Sequence, residues 1–236
     1  HRRYTNAWRR TLKYGKAYDQ RAVVKAAAKV YSDKQSVNNL TTTANGTVNL
    51  YAVWKEKYSK VQLWAGGPYW ATTNIGANEP WESGYYFWWG DTVGYKREND
   101  KWVASDGANS NFSFNGSNFP TYNKSASTLQ SEGWITAEGV LASEHDAAHI
   151  HWGGGWRMPT KQEIDDLNNK CNWIWTTMNG VNGYIVRGRD KYAPNSIFLP
   201  CAGLVYGTSF GFSGSSGFYW SSVPYSDSHN ALYLYF

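Results

Sequence analysis

Three histidines crowd the middle of this chain, in Ser143-Glu144-His145-Asp146-Ala147-Ala148-His149-Ile150-His151. On one continuous helix His145 and His149 would stand a turn apart and could face a single metal ion, with Glu144 or Asp146 supplying an oxygen. The default for such residues is a surface or partly packed position, so no metal and no other cofactor is assigned. The two cysteines, Cys171 and Cys201, could form one bridge or remain as two buried thiols that behave as small apolar side chains, the commoner outcome. A thiolate that does chemistry needs an accessible, electropositive setting, and Lys170 beside Cys171 is thin support for one. Glu163, Asp165 and Asp166 are explained by a helix N-terminal turn, where negative charge favours the dipole. No Ser-His-Asp order, phosphate loop or pair of catalytic carboxylates can be argued, and the expectation is that the chain is not an enzyme.

Residue types suited to binding gather late in the chain. Between residues 206 and 230, Tyr206, Phe210, Phe212, Phe218, Tyr225, Asp227, His229 and Asn230 are interspersed with Gly and Ser. Rigid rings supply contact area at low entropic cost, and small polar groups supply adaptable hydrogen bonds. These eight are the candidate ligand-binding residues. Against them stands core filling, which Tyr219, Trp220 and about half of the rings are expected to serve.

The strongest element signal lies in Trp152-Gly-Gly-Gly-Trp156-Arg-Met-Pro159-Thr160-Lys-Gln-Glu163. Thr160 and Glu163 have capping-box spacing, and Pro159 disfavours helix at Met158. Ile164, Leu167 and Cys171 then form one apolar stripe, which predicts a helix from Thr160 to about Asn172. Ser143–His149 is predicted as an earlier helix, with Ser143 and Asp146 in capping-box relation. Val61–Trp64 and Tyr69–Thr72 read as strands around Gly66-Gly67-Pro68. Residues 95–128, rich in Asn, Ser, Gly and Lys, read as one long surface loop. Short strands follow from Trp173, with turns at Asn179-Gly180, Asn182-Gly183 and 213–217, a strand at Ile197–Leu199 and a last one from Ala231 to Phe236. Near the start, residues 19–29 read as a short helix from their Ala and Lys content. Asn45-Gly46 then reads as a tight turn, and Val48, Leu50, Ala52 and Trp54 as one face of a strand.

The segment Trp156-Arg-Met-Pro-Thr-Lys-Gln-Glu163 resembles a signature of the C-type-lectin-like superfold, in the branch that includes formylglycine-generating-enzyme-like domains. Over residues 61–236 the chain is more closely similar to the Fibrobacter succinogenes major paralogous domain. The pieces that carry this are Val61–Trp64, Trp70–Ala77, Gly84–Thr92, Asp146–Ala148, Trp152–Leu167, Asn179–Tyr184, Ile197–Pro200, Tyr206–Thr208 and Tyr219–Ser222, in order. Residues 1–57, ending in Leu50-Tyr-Ala-Val-Trp54, resemble a partial Listeria–Bacteroides repeat, a β-grasp-like unit. The resemblances imply an α+β protein: a small β-grasp-like repeat, then a C-type-lectin-like domain of short strands, two helices and long loops. They place the late loops on one face and imply an extracellular or cell-surface, adhesin-like module that binds a glycan or protein ligand. A structural fimbrial or stalk module is the alternative. A cysteine oxidase of the formylglycine-generating type is a remoter one, since neither cysteine matches that redox motif. Calcium-dependent sugar binding is not implied, because Glu79-Pro80 is followed by Trp81 and no Trp-Asn-Asp occurs. Such domains continue past a strand like Leu232–Phe236 into a final one, so a missing last strand is expected, with an open sheet edge prone to self-association.

Composition bounds the rest. Aromatic residues make up 17% of the 236, with 14 Trp and 18 Tyr, more than a core alone requires. Residues 1–60 hold 13 Lys/Arg against 3 Asp/Glu, while residues 61–236 hold 10 against 15, so two differently charged modules are expected. The basic part lacks the aromatic interleaving of a nucleic-acid binder, and no nucleic-acid partner is expected. No run of 18 apolar residues occurs, so membrane insertion is not expected either. No signal peptide is read in the chain, and its abrupt start at His1-Arg2-Arg3-Tyr4 is expected to reflect a fragment rather than a cytosolic origin. Export is an implication of the resemblance.

Overall fold

A computed structural model describes residues 58–99, 101–107, 119–207, 209–225 and 231–236, and the backbone of three short strands before them. The chain divides into two compact units, His1–Tyr58 and Ser59–Phe236.

In the first unit, β1 (Val23–Ala26) is flanked by β2 (Lys29–Tyr31) and β3 (Tyr51–Val53) in an antiparallel sheet of order β2-β1-β3. This corrects the helix expected over residues 19–29. Val23 and Val24 favour extended backbone, and pairing with Tyr51–Val53 outweighs the helix preference of the alanines. Asn45-Gly46 lies outside the described residues.

The second unit is α+β, built from small antiparallel sheets and short helices, with no barrel among the described residues. β4 (Lys60–Gln62) and β5 (Tyr69–Ala71) form a hairpin. β6 (Tyr95–Glu98) and β7 (Lys101–Ala104) form another, which replaces the first part of the expected long loop. Its second part turns into α1 (Ala126–Ser131), a helix the sequence reading missed, capped by the Ser125 side chain. The described unit thus has three short helices rather than two.

A single helix over Ser143–His149 does not form. Ser143–His145 is one 3₁₀ turn. Asp146 then leaves helical geometry and becomes the N-cap of α2 (Ala147–Trp152), its carboxylate accepting from His149 N–H at 3.0 Å and Met158 N–H at 2.8 Å. A buried carboxylate that finds two backbone donors is worth more than continuous helix.

α3 (Lys161–Lys170) begins where expected. The Glu163 N–H donates to Thr160 Oγ1 at 3.2 Å, and the Thr160 N–H donates to Glu163 Oε2 at 2.8 Å. Ile164, Leu167 and Cys171 are buried against Leu63, Trp64, Val186, Ile197 and Leu234 in the first of two cores. β8 (Asn172–Met178), β9 (Val181–Arg187) and β10 (Ser196–Pro200) supply the sheet beneath, in the order β10-β9-β8. The β8–β9 turn is Asn179-Gly180, with φ of 47° and 81°, the two positive values of a tight two-residue hairpin. Asn182-Gly183 is no turn. Gly183 lies inside β9, paired with Thr176 and Pro200, and a Cβ there would collide with the Leu199 carbonyl and the Phe198 ring.

β11 (Leu204–Tyr206) and β12 (Ser209–Gly211) form a short hairpin, and β13 (Phe218–Pro224) pairs with β14 (Ala231–Tyr235). Because side chains alternate along a strand, the β13–β14 ribbon serves both cores. Tyr219, Leu234 and the adjoining Phe236 pack on the first core. Trp220 and Ala231 pack on a second, with Trp89, Leu129, Ile135 and Leu141.

A candidate ligand-binding cleft

The β13–β14 ribbon borders a cleft of about 900 Å³. Its walls come from β5, the Tyr85–Trp89 segment, α3, β10, β11 and the ribbon itself, and they are mainly apolar and aromatic. Two phenolic hydroxyls anchor these walls: Tyr86 donates to the Ala202 carbonyl and Tyr219 to the Pro200 carbonyl, each at 2.7 Å. Burial pushes both phenols upward from their ordinary pKa, so they stay protonated as donors. Trp220 Nε1–H donates to the Phe87 carbonyl at 2.9 Å, and Trp89 Nε1–H to the Ser221 carbonyl at 2.8 Å. Trp70 Nε1–H differs from these. It is buried, lies on a residue that lines the cleft, and has no hydrogen-bond partner among the described residues.

The eight candidate residues separate into groups. Tyr206 and Phe218 line the cleft. Tyr206 is 78% exposed at the tip of the β11–β12 hairpin. Phe218 is half-buried and central to a ring path, 5.9 Å from Phe212, 5.9 Å from Tyr233 and 5.0 Å from Tyr235. Phe210 faces elsewhere: its ring packs edge-on to Tyr86 at 5.6 Å and contacts Trp102 at 6.4 Å, tying β12 to the β6–β7 hairpin. Phe212 is 61% exposed with φ of 61°, a left-handed conformation in which a bulky residue is strained. Its carbonyl accepts from the N–H groups of Ser215 and Ser216, each at 3.0 Å, which holds the turn in place. Tyr225 is exposed beyond β13 and does not line the cleft. Asp227, His229 and Asn230 lie outside the described residues.

The structure adds rim residues that were not anticipated. Tyr69, Tyr122 and Tyr233 are exposed and line the cleft, and Tyr235 stands beside Phe218. Alternation in Leu232-Tyr233-Leu234-Tyr235 was the available signal for the last pair. Tyr69 and Tyr122 required the fold.

The titratable groups of the interior are occupied by structure. Burial raises the Asp91 carboxyl, while its oxygens accept from Val93 and Gly94 N–H. His145 stacks on Trp134 with centroids 3.9 Å apart, and a ring nitrogen of His151 lies 2.8 Å from the Thr92 carbonyl. Among the described residues, no three His, Cys, Asp or Glu come together to hold a metal ion. Cys171 and Cys201 are buried and not bonded to each other. Burial pushes the Cys171 thiol up to about 11, against a smaller opposing pull from Arg189, and raises Cys201 as well. Neither cysteine lines the cleft. The arrangement offers an apolar surface, rings and one unpartnered donor, Trp70 Nε1–H, which is equipment for binding.

No protein-family model, no curated protein and no solved structure matches the chain. Among the described residues, no helix is long and apolar enough to cross a membrane.

Proposed function

We propose that this chain is a non-catalytic, extracellular ligand-binding module, adhesin-like in character, whose C-type-lectin-like domain follows a β-grasp-like repeat. The observation that carries the reading is the aromatic cleft bordered by the β13–β14 ribbon, with Tyr206 at its rim and Phe218 in its wall. A stalk module has no use for a concave surface of this size, and an apolar cavity of roughly 300–1,000 Å³ with a few convergent donors is the usual form of a ligand site. The buried, protonated cysteines support a binding role over cysteine oxidation. The ligand is a glycan or a protein.

The test is binding of the whole chain to an oligosaccharide array and to a panel of secreted and surface proteins, repeated with Tyr206→Ala. Because the Tyr206 ring is almost entirely in solvent, its loss should leave the melting temperature unchanged. Binding to at least one ligand should weaken roughly tenfold, the usual weight of one anchoring ring. Absence of any binding, or binding indifferent to Tyr206→Ala, would refute the reading.

A further inference from the structure

A second cavity, of about 230 Å³, lies where residues 136–141, residues 143–149, the loop into α3 and β13 meet. Of its lining residues only Val140 and Leu141 are apolar, and Arg157 is the one residue it shares with the aromatic cleft. The walls are tied to one another. Ser222 N–H donates to the Pro159 carbonyl at 2.7 Å, Leu141 N–H donates to the Ser222 carbonyl at 2.8 Å, and the Asp146 carboxylate holds Met158 N–H. Walls fixed in advance lower the cost of ordering a ligand between them.

The polar groups of these walls fall into two sets. Arg157 and Thr160 are engaged with Glu163. Ser222 is not engaged: it is 2% exposed, both of its backbone groups are bonded, and its hydroxyl has no hydrogen-bond partner among the described residues. The polar group it has left for the cavity is that hydroxyl, and a buried hydroxyl without a partner is costly. Thr136 Oγ1 is enclosed too and lacks a hydrogen bond of ordinary length, but it lies near enough to the Glu138 carboxylate to hold that group below its usual range. Ser222 is the less engaged of the two. The rings and hydroxyls of His149 and Ser143, which also line the cavity, make no hydrogen bond among the described residues.

Charge and size narrow the occupant. Apart from His149, the lining carries one acid, Asp146, and one base, Arg157, so each repels the ion that the other attracts. A neutral group that both donates and accepts meets Ser222, Ser143 and His149 alike. Asp146 adds acceptors, since each of its oxygens takes one backbone N–H and keeps a lone pair for another donor. A hydroxyl-bearing ring answers this mixture, with Val140 and Leu141 as the apolar patch for its C–H face. The volume is below the roughly 300–1,000 Å³ of a site for a drug-sized ligand and is that of about eight waters, which suits one sugar ring and no longer chain.

We propose that this cavity binds a single neutral sugar residue, whose hydroxyls exchange hydrogen bonds with Ser222, Ser143, His149 and Asp146. The site is separate from the aromatic cleft and stands or falls apart from it. Within the ligand-binding reading it selects a glycan over a protein.

The probes are the methyl glycosides of glucose, galactose, mannose and N-acetylglucosamine, titrated into the whole chain with isotope-labelled histidine rings and followed by NMR. The His149 ring signal is assigned by its loss in His149→Gln. At least one glycoside should shift that signal, with a Kd on the order of millimolar, the scale for so small a ligand. Ser222→Ala should weaken this glycoside roughly fivefold, the weight of one hydrogen bond. It should not lower the melting temperature, because it removes a hydroxyl that folding leaves unpaired. Tyr206→Ala should leave the titration unchanged. A His149 signal that no glycoside moves would overturn the site, while Tyr206-dependent binding to an array would still uphold the cleft. A glycoside that binds equally well to Ser222→Ala would overturn it too. So would a shift produced by acetate or acetamide and by no sugar, which would give the cavity to a carboxylate or a carboxamide.

Discussion

Arg157 grips Glu163 through two parallel hydrogen bonds, Nη1 to Oε2 at 2.7 Å and Nη2 to Oε1 at 2.5 Å, while Glu163 closes the cap of α3. One carboxylate thereby fixes the angle at which the loop after α2 enters the helix that carries Ile164 and Leu167 into the core. The motif Trp156-Arg-Met-Pro-Thr-Lys-Gln-Glu163 is therefore a folding device: Arg157, Thr160 and Glu163 satisfy one another, while Met158 N–H and the Pro159 carbonyl bond to Asp146 and Ser222.

That arrangement makes the stability of the domain depend on acid. Burial alone would raise the Glu163 carboxyl, but the hydrogen bonds from Arg157 and Thr160 hold it below the ordinary carboxylate range. A lowered folded-state value means that the ionised group stabilises the fold. Its contribution is complete above the unfolded value of about 4.3 and is lost as pH falls through the folded one. Glu163→Gln should reduce the fall in urea midpoint between pH 6 and pH 3, and an unchanged slope would contradict this account. At neutral pH, Thr160→Ala should cost about 1 kcal/mol through loss of the cap.

Thiol chemistry should follow unfolding. Cys171 and Cys201 are each 2% exposed and their thiols are raised by burial. At pH 8 the folded protein should react with a thiol reagent only as fast as it opens. Labelling rates should rise in step with the unfolded fraction in urea, and the intact mass should not change with reductant. Rapid labelling of the folded chain would place a thiolate at the surface and revive the oxidase alternative.

What could be read from the chain alone divides by range of interaction. The α3 cap, the buried stripe Ile164, Leu167 and Cys171, and the Asn179-Gly180 hairpin are local devices and all appear in the structure, though α3 ends at Lys170 rather than near Asn172, with Cys171 already extended and Asn172 opening β8. The helix expected through Asp146 failed because its carboxylate is drawn off by Met158, twelve residues away. The helix expected at Val23 failed because β3 offers it a pairing partner, Val53, 30 residues on. The cleft was illegible for the same reason: its walls bring Tyr69, Phe218 and Tyr233 together, and no period links them. The late rings were legible as types, but of the five candidates among the described residues only Tyr206 and Phe218 reach the cleft.

The two Asn-Gly pairs provide a controlled comparison of turn and strand glycines. Gly180 has φ of 81° and open space around it, so Gly180→Ala pays only for the left-handed backbone, roughly 1–2 kcal/mol. Gly183 is in the centre of β9 where a Cβ would meet the Leu199 carbonyl, the Phe198 ring and the Pro200 Cα. The β10 backbone cannot move aside without breaking the ladder. Gly183→Ala should therefore destabilise more than Gly180→Ala, by about 3 kcal/mol. Denaturant curves measure both, and the reverse order would mean that Gly183 lies in a turn after all.

Phe212 combines strain with exposure, a pairing that folding alone does not favour. Its left-handed backbone costs roughly 1–2 kcal/mol, and among the described residues its one aromatic ring contact is with Phe218 at 5.9 Å. Replacing it with glycine relieves the strain, loses the ring contact and adds about 0.5–1 kcal/mol of backbone entropy cost. The terms nearly cancel, so Phe212→Gly should leave the unfolding free energy within about 1 kcal/mol of the parent. Phe218→Ala removes a half-buried ring that touches three others and should cost about 2 kcal/mol or more. If the strained ring is kept for recognition, as outliers of this kind often are, Phe212→Gly should still weaken ligand binding severalfold. A variant that is markedly destabilised, or that binds as the parent does, would remove Phe212 from the recognition surface and leave Tyr206 and the ribbon tyrosines to form it.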